Sequence, residues 1–349
     1  VNNDDVWKRE EIISIPKWQL EERLTVNDTK GDIPELTLHE MILKQVQLSP
    51  EKIAVVDKDK EITYKELAER AASIADELVK NGCKPKDKVG IIMNKSISQV
   101  EAVLGVLSIG AVYVPIDIKQ PKGRIVTILE QGNINFVLVQ SKKTLDIESK
   151  ACVIETKGLK SRKWNTEIVK GNLKDPAYII YTSGSTGVPK GVVITHIGAA
   201  NTINDINKKF NVNSNDSILG LSQLHFDLSV YDIFGLLSVG GTVVYPDIDE
   251  FTNPSHWVEL IQKYNITLWN SVPALMQMLV SYLECEKEEE NLNLRLALLS
   301  GDWIPLNLPD KLINMINTIK VVSLGGATEA SIWSNYYIYE ELKEGWNSI

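Results

Sequence analysis

From about Leu36 onward, short apolar runs alternate with helical patterns, and this alternation most restricts what the chain can fold into. The runs KVGIIM (88–93), AVYVPI (111–116), FVLVQ (136–140), AYIIYT (177–182), GVVIT (191–195), SILGLS (217–222), TVVYP (242–246), TLWNSV (267–272), LRLALLS (294–300) and KVVSLG (320–325) read as strands. Helices fall between most of them. Thr63-Tyr-Lys-Glu66 is a capping box that opens a helix with Leu67, Ala71, Ile74 and Leu78 on one stripe, stopped at Gly82. Ser96 opens a second helix that ends at Gly110, and further helices are predicted over 254–264 and 274–283. Strands and helices in this order build parallel sheet from βαβ units, so the class is α/β.

A chain of 349 residues has room for two packed domains or one large one. Its 44% apolar and 24% charged residues exclude disordered and fibrous classes. No run of 18 uncharged apolar residues occurs, which argues against a membrane span, and the mixed, Pro-interrupted start argues against a secretory signal. A net charge of −9 without a basic block argues against a nucleic-acid partner. Three dispersed cysteines and four histidines without HxxxH spacing form no disulfide scaffold or histidine metal site and suit a cytoplasmic protein. Residues 1–35 mix charge, two prolines and scattered Trp with weak periodicity, and read as a linker or surface arm. The end, EELKEGWNSI, carries no closing strand or helix pattern, as if cut from something longer.

The strongest local feature is AYIIYTSGSTGVPKGVVITH (177–196), in which a strand enters a loop and a second strand leaves it. Gly184, Gly187 and Gly191 leave backbone N–H groups unshielded, so that several can converge on one anion. Thr182, Ser183, Ser185 and Thr186 add neutral donors, and Lys190 adds a movable positive charge. A polyphosphate needs this set. A plain surface hairpin is the bland alternative. A P-loop is excluded because Pro189 and Gly191 stand where GxxxxGK[ST] needs Gly and Ser/Thr.

With these residues in view, the chain resembles the adenylate-forming enzymes, specifically the amino-acid-activating adenylation domains of nonribosomal peptide synthetases. The resemblance covers roughly residues 36–340 and runs through ITYKELAERA (62–71), SIGAVYVPID (108–117), YIIYTSGSTGVPKG (178–191), HFDLSVYDIFGLLSVGG (225–241) and LGGATEASIW (324–333) in the family's order. It implies the large N-terminal core of that fold, with two βαβ-type sheets, flanking helices and a smaller β subdomain. The family's catalytic Lys and mobile C-terminal lobe are expected beyond the 36–349 core, and 1–35 resembles the linker from an upstream condensation or cyclisation domain. The implied reaction activates an amino acid with ATP to aminoacyl-AMP and pyrophosphate, and a carrier domain's phosphopantetheine thiol then captures the product.

By the same resemblance, Thr182–Lys190 cradle the phosphates, Thr328 donates to phosphate, Glu329 ligates Mg²⁺, and Gly301, Ser323, Leu324 and Gly325 lie around the nucleotide. Gly325 and Ala327 stand where the family's fifth motif usually has Tyr and Pro, so adenine would be held by backbone and apolar faces. Asp227 matches the Asp that holds the substrate α-ammonium, and Phe226 an aromatic near the reaction centre. The selectivity positions read Asp227, Leu228, Tyr231, Asn270, Leu298, Ser300, Leu324, Ile332 and Trp333, which resembles the pattern of cysteine-activating members. Bulky Leu228, Tyr231 and Trp333 would leave room for a short side chain, with Asn270 and Ser300 as weak partners for a thiol. Cys83, Cys152 and Cys285 fall on no motif position and read as buried structural thiols. The remaining alternatives are a carboxylate–CoA ligase of the same superfamily and a fragment that binds ligands without turnover.

Overall fold

A computed structural model describes residues 15–58, 60–142, 147, 149–163, 171–183, 189–285 and 292–349. The chain divides after Ile33 into two units. In the first, Lys17–Val26 forms a helix with no buried residue, an element that its weak periodicity did not announce.

The second unit holds fourteen described strands in two sheets. They are β1 (Ile53–Asp57), β2 (Lys60–Thr63), β3 (Lys88–Ile92), β4 (Val112–Pro115), β5 (Phe136–Val139), β6 (Cys152–Glu155), β7 (Pro176–Ser183), β8 (Pro189–Thr195), β9 (Ser217–Leu219), β10 (Thr242–Tyr245), β11 (Leu268–Ser271), β12 (Leu296–Ser300), β13 (Lys320–Gly325) and β14 (Asn335–Ile338). The larger sheet runs β14-β13-β12-β11-β9-β10-β1-β2 and the smaller one β6-β5-β3-β4-β7-β8. Interior pairs are parallel, whereas β2, β14 and β8 join antiparallel at the edges. Every described strand belongs to one of these sheets, so the expected smaller β subdomain has no sheet of its own among the described residues.

The helices Tyr64–Lys80 and Ile97–Ser108 pack against each other, and Ile97–Ser108 touches β1 of one sheet and β3 and β4 of the other. Ten of the twelve residues of Ile97–Ser108 are accordingly buried. A helix covered all round is what a middle layer requires. Gly105 marks the closest approach, because a Cβ built there would lie 2.8 Å from the Ala71 carbonyl oxygen. The capping box forms as expected: Glu66 N–H donates to Thr63 Oγ1 (3.1 Å) and the Thr63 N–H to Glu66 Oε2 (2.8 Å). Tyr64 anchors the same turn by donating from its buried hydroxyl to the Gly241 carbonyl at 2.7 Å. No helix of the described residues is long and apolar enough to cross a membrane.

Candidate active site

β7 and β8 form the hairpin that the motif required, with Thr182 opposite Lys190 and Ser183 opposite Pro189. Gly184, Ser185, Thr186 and Gly187, and the side chain of Ser183, lie outside the described residues. β8 packs against the short 3-10 turn Thr328–Ala330, and Thr182 and Lys190 stand at the open end of the stem with Lys190 exposed.

Asp227 belongs to the larger sheet, on the connection between β9 and β10. It stands at the edge of the one-turn helix Leu228–Val230 but makes no side-chain cap bond there. Burial raises its pKa, opposed by the Thr328 hydroxyl and by backbone N–H groups and reinforced by the neighbouring Glu329 carboxylate. The Asp227 charge is also felt by Tyr178 of β7, whose hydroxyl burial already pushes up. Asp227, the Thr328–Glu329 turn and strands β7 and β8 are therefore near neighbours.

Beside Asp227 lies a cavity of about 290 Å³ lined by Phe226, Asp227, Leu228, Ser300, Gly301, Ile332 and Trp333, among others. Strand register explains the grouping. Asn270 pairs with Leu298, and Ser300 with Leu324, so these positions share one sheet face. Trp333 Nε1 donates to Ser300 Oγ at 3.0 Å, which ties the wall to the strand end. Phe226 is 58% exposed at the mouth. Gly301 has φ +85°, a conformation that favours glycine.

Not every expected residue reaches the cavity. Leu298, Tyr231 and Asn270 are fully buried behind its lining, and buried Leu324 is not part of that lining either. Tyr231 supports the wall from behind, its ring 5.0 Å from Trp333 and its hydroxyl donating to Asn207 Oδ1 at 2.9 Å. Ser323 pairs with Leu299 on the opposite face, and its hydroxyl donates to the Ile349 carbonyl oxygen (3.4 Å), so its side chain is not brought to the site. A Cβ at Gly325 would lie 2.6 Å from Asn335 Oδ1, the end of an exposed side chain that would have to turn aside. The cysteines need correction: Cys83 is buried, but Cys152 is half-buried and Cys285 exposed at the end of the helix Pro273–Cys285.

Ser331 and Ile332 have φ of +65° and +68°. Two consecutive non-glycine residues in the left-handed region, one of them β-branched, are strained, and such strain collects at functional sites. The segment is pinned by Thr202 Oγ1 donating to the Ser331 carbonyl (3.0 Å) and Ser334 N–H to the Gly325 carbonyl (2.8 Å).

The sequence reading missed Leu221, Ser222, Gln223, Phe251, Val272, Leu275 and Gly326, which complete the lining. Only proximity to the HFD and TLWN strings signalled some of them. It also missed Lys95 and Asp232, buried beneath the cavity. Glu329 is exposed on its turn, and no group of three or more His, Cys, Asp or Glu side chains among the described residues could hold a metal by itself. One carboxylate fits a magnesium ion whose other ligands are phosphate oxygens and water, and does not fit an all-protein site.

The family model described as AMP-binding enzyme matches residues 42–348. The chain is 42% identical over 346 residues to the anguibactin system regulator of Vibrio anguillarum, covering 96% of this chain and 32% of that protein. It is 42% identical over 326 residues to bacitracin synthase 1 of Bacillus licheniformis (93% and 6%). It is 41% identical over 287 residues to the pyochelin synthetase PchF of Pseudomonas aeruginosa (82% and 16%). The chain thus spans a third or less of the curated relatives it matches. Among solved structures, the nonribosomal peptide synthetase FmoA3 (S1046A) superposes with a TM-score of 0.88 at 38% identity, covering 93% of this chain and 35% of that one. That protein has also been solved in an AMPPNP-bound form and an α-methyl-L-serine-AMP-bound form. A family match over nearly the whole chain and a matching fold at 38% identity lead to one assignment: the chain belongs to the AMP-binding enzyme family, as the N-terminal adenylate-forming core of a nonribosomal-peptide-synthetase adenylation domain.

Proposed function

We propose that the chain binds ATP and an amino acid and activates the amino acid, and that this amino acid is L-cysteine. A carboxylate oxygen attacks the α-phosphorus, the bond to the bridging oxygen breaks, and pyrophosphate leaves with its electron pair. The protein's work is positioning and charge neutralisation rather than covalent chemistry. Asp227 carries the reading. A carboxylate held half-buried beside an apolar cavity is costly alone and favourable once a ligand cation pairs with it. An α-ammonium supplies that cation, whereas the acyl substrates of a carboxylate–CoA ligase bring none.

Thr328 and the hairpin donors Thr182–Lys190 would hold the phosphates, and Gly301, Leu324 and Gly325 the nucleoside. Glu329 would hold Mg²⁺, which when bound neutralises charge on the phosphate tail. The cavity's walls, Leu228, Ile332 and Trp333, suit a short side chain. FmoA3, bound to α-methyl-L-serine-AMP, offers a parallel of similar size. The partners implied are a carrier domain whose phosphopantetheine thiol takes the product, in the cytoplasm, and an upstream condensation or cyclisation domain joined through residues 1–35. ATP–pyrophosphate exchange across the amino acids, in the protein that carries this chain, tests the substrate. Cysteine should lead, with serine next, since a one-atom difference in such a pocket is worth about 1–3 kcal/mol. Exchange with glycine or valine equal to that with cysteine would overturn the assignment.

A further inference from the structure

Among the described residues, three hydroxyls that are buried without a hydrogen-bond partner gather where β4 and β7 meet the turn after β13: those of Tyr113, Tyr178 and Ser331. Tyr113 and Tyr178 are register partners on neighbouring strands, with ring centroids 5.5 Å apart. Burial pushes the Tyr178 hydroxyl up, and the nearby Ser331 hydroxyl opposes that rise although no bond between the two is closed. Buried hydroxyls left open in this way are unfavourable and rare in folded proteins.

Both Tyr178 and Ser331 adjoin the site. Tyr178 lies on β7, and Thr182 stands four residues further along the same strand face, at the open end of the hairpin stem. Ser331 lies between Thr328, whose hydroxyl donates to Asp227, and Ile332 and Trp333, which wall the cavity. Together with Ile332 it carries the left-handed backbone, φ +65° and +68°. Its carbonyl is already held from the hairpin's side, because Thr202 of the helix His196–Lys209, which follows β8, donates to it at 3.0 Å. The turn is thus tied to that side by one closed bond and one open one.

We propose that Tyr178 and Ser331 are positioning residues whose hydroxyls bond to each other when nucleotide binds, and that this bond couples the hairpin to the amino-acid cavity. A phosphate tail held by both Thr182 and Thr328 draws the turn toward β7. Ser331 travels with Thr328, its hydroxyl meets that of Tyr178, and Ile332 and Trp333 close on the substrate's side chain. Nucleotide then tightens amino-acid binding, because a contact made in only one state is what lets one ligand shift the state another prefers. By reciprocity the amino acid tightens nucleotide binding by the same factor. This rests on the hairpin and the cavity being the nucleotide and amino-acid sites.

The test is calorimetry on the protein that carries this chain, titrating L-cysteine with and without saturating α,β-methylene-ATP and Mg²⁺. Wild type should bind cysteine about fivefold tighter with the nucleotide analogue, the share of one hydrogen bond. Tyr178→Phe keeps the ring and removes the hydroxyl. It should bring the ratio to about one, with the loss confined to the nucleotide-bound titration. Its melting temperature without ligand should not fall, since it removes an open hydroxyl and not a bond. Ser331→Ala should do the same and serves if Tyr178→Phe does not fold, whereas Tyr113→Phe should keep the fivefold ratio. An undiminished ratio in a folded Tyr178→Phe or Ser331→Ala, an equal loss with and without nucleotide, or the same loss in Tyr113→Phe overturns the coupling. A wild-type ratio of one with both ligands bound also overturns it, whereas failure of the wild type to bind the nucleotide analogue or cysteine overturns the reading of the sites instead.

Discussion

Asp227→Asn separates an amine anchor from a merely structural carboxylate. The substitution keeps the shape and removes the charge. In the folded protein burial raises the pKa of Asp227, so its ionised form is disfavoured relative to the unfolded chain. The sign follows: a raised carboxylate costs stability above its unfolded pKa, and the neutral amide removes that cost at pH 7. The variant should therefore melt no lower than wild type, and somewhat higher if nothing else changes. Binding moves the other way. For a contact of about 3 Å in a half-buried site with an effective dielectric near 40, Coulomb's law gives ~3 kcal/mol, about a hundredfold in Kd. The assay is calorimetry with two sulfamoyl-adenosine ligands, one aminoacyl and one identical but lacking the amine. Wild type should favour the aminoacyl ligand about a hundredfold, and Asp227→Asn should bind the two alike. Equal weakening of both, or an undiminished preference for the amine, refutes the reasoning.

Two further outcomes test the frame around the site. His196 is buried against His39, and burial and then that neighbour lower its pKa from 6.5 to about 4. The unfolded chain takes up this proton first, so stability should fall by up to ~3 kcal/mol as pH drops from 6.5 to 4. Urea titrations at several pH values should show this slope, and His196→Asn should flatten it; an equal slope in the variant sinks the assignment. Gly325→Ala should lower the melting temperature only slightly, because its Cβ would meet the exposed Asn335 side chain, which can turn aside, and Asn335→Ala in the same chain should remove that small loss. Additive losses in the double variant would mean that the crowding lies elsewhere.

Much of this was legible in the residues because its causes are local. Apolar runs such as AVYVPI had to be buried strands, and Thr63 with Glu66 had to start a helix. The hairpin β1–β2 was missed because IAVVD and KEIT are short and separated by charged residues that resemble a loop. The helix His196–Lys209 was missed because its polar residues obscure the stripe of Ala199, Ala200, Ile203 and Ile206. At the site, motif order supplied Asp227 and Trp333, but whether a position lines the cavity or stands behind it depends on strand register. Tyr231 and Asn270 are therefore one layer deeper than their motif positions suggest. Lys95 and Asp232 lie 137 residues apart in the chain, and no spacing rule joins them.

The close crossing at Gly105 has a mechanical consequence. The hairpin expected to hold the nucleotide's tail belongs to the smaller sheet, whereas Asp227 and the cavity belong to the larger one. The helix that carries Gly105 touches strands of both, so its thickness would set how the two halves of the proposed reaction are aimed at each other. A bulky side chain at that point would act like a shim under one jaw of a vice. Both ligands could still bind, yet the carboxylate would no longer lie in line with phosphorus, and an error of about 1 Å in such alignment is worth about a hundredfold in rate.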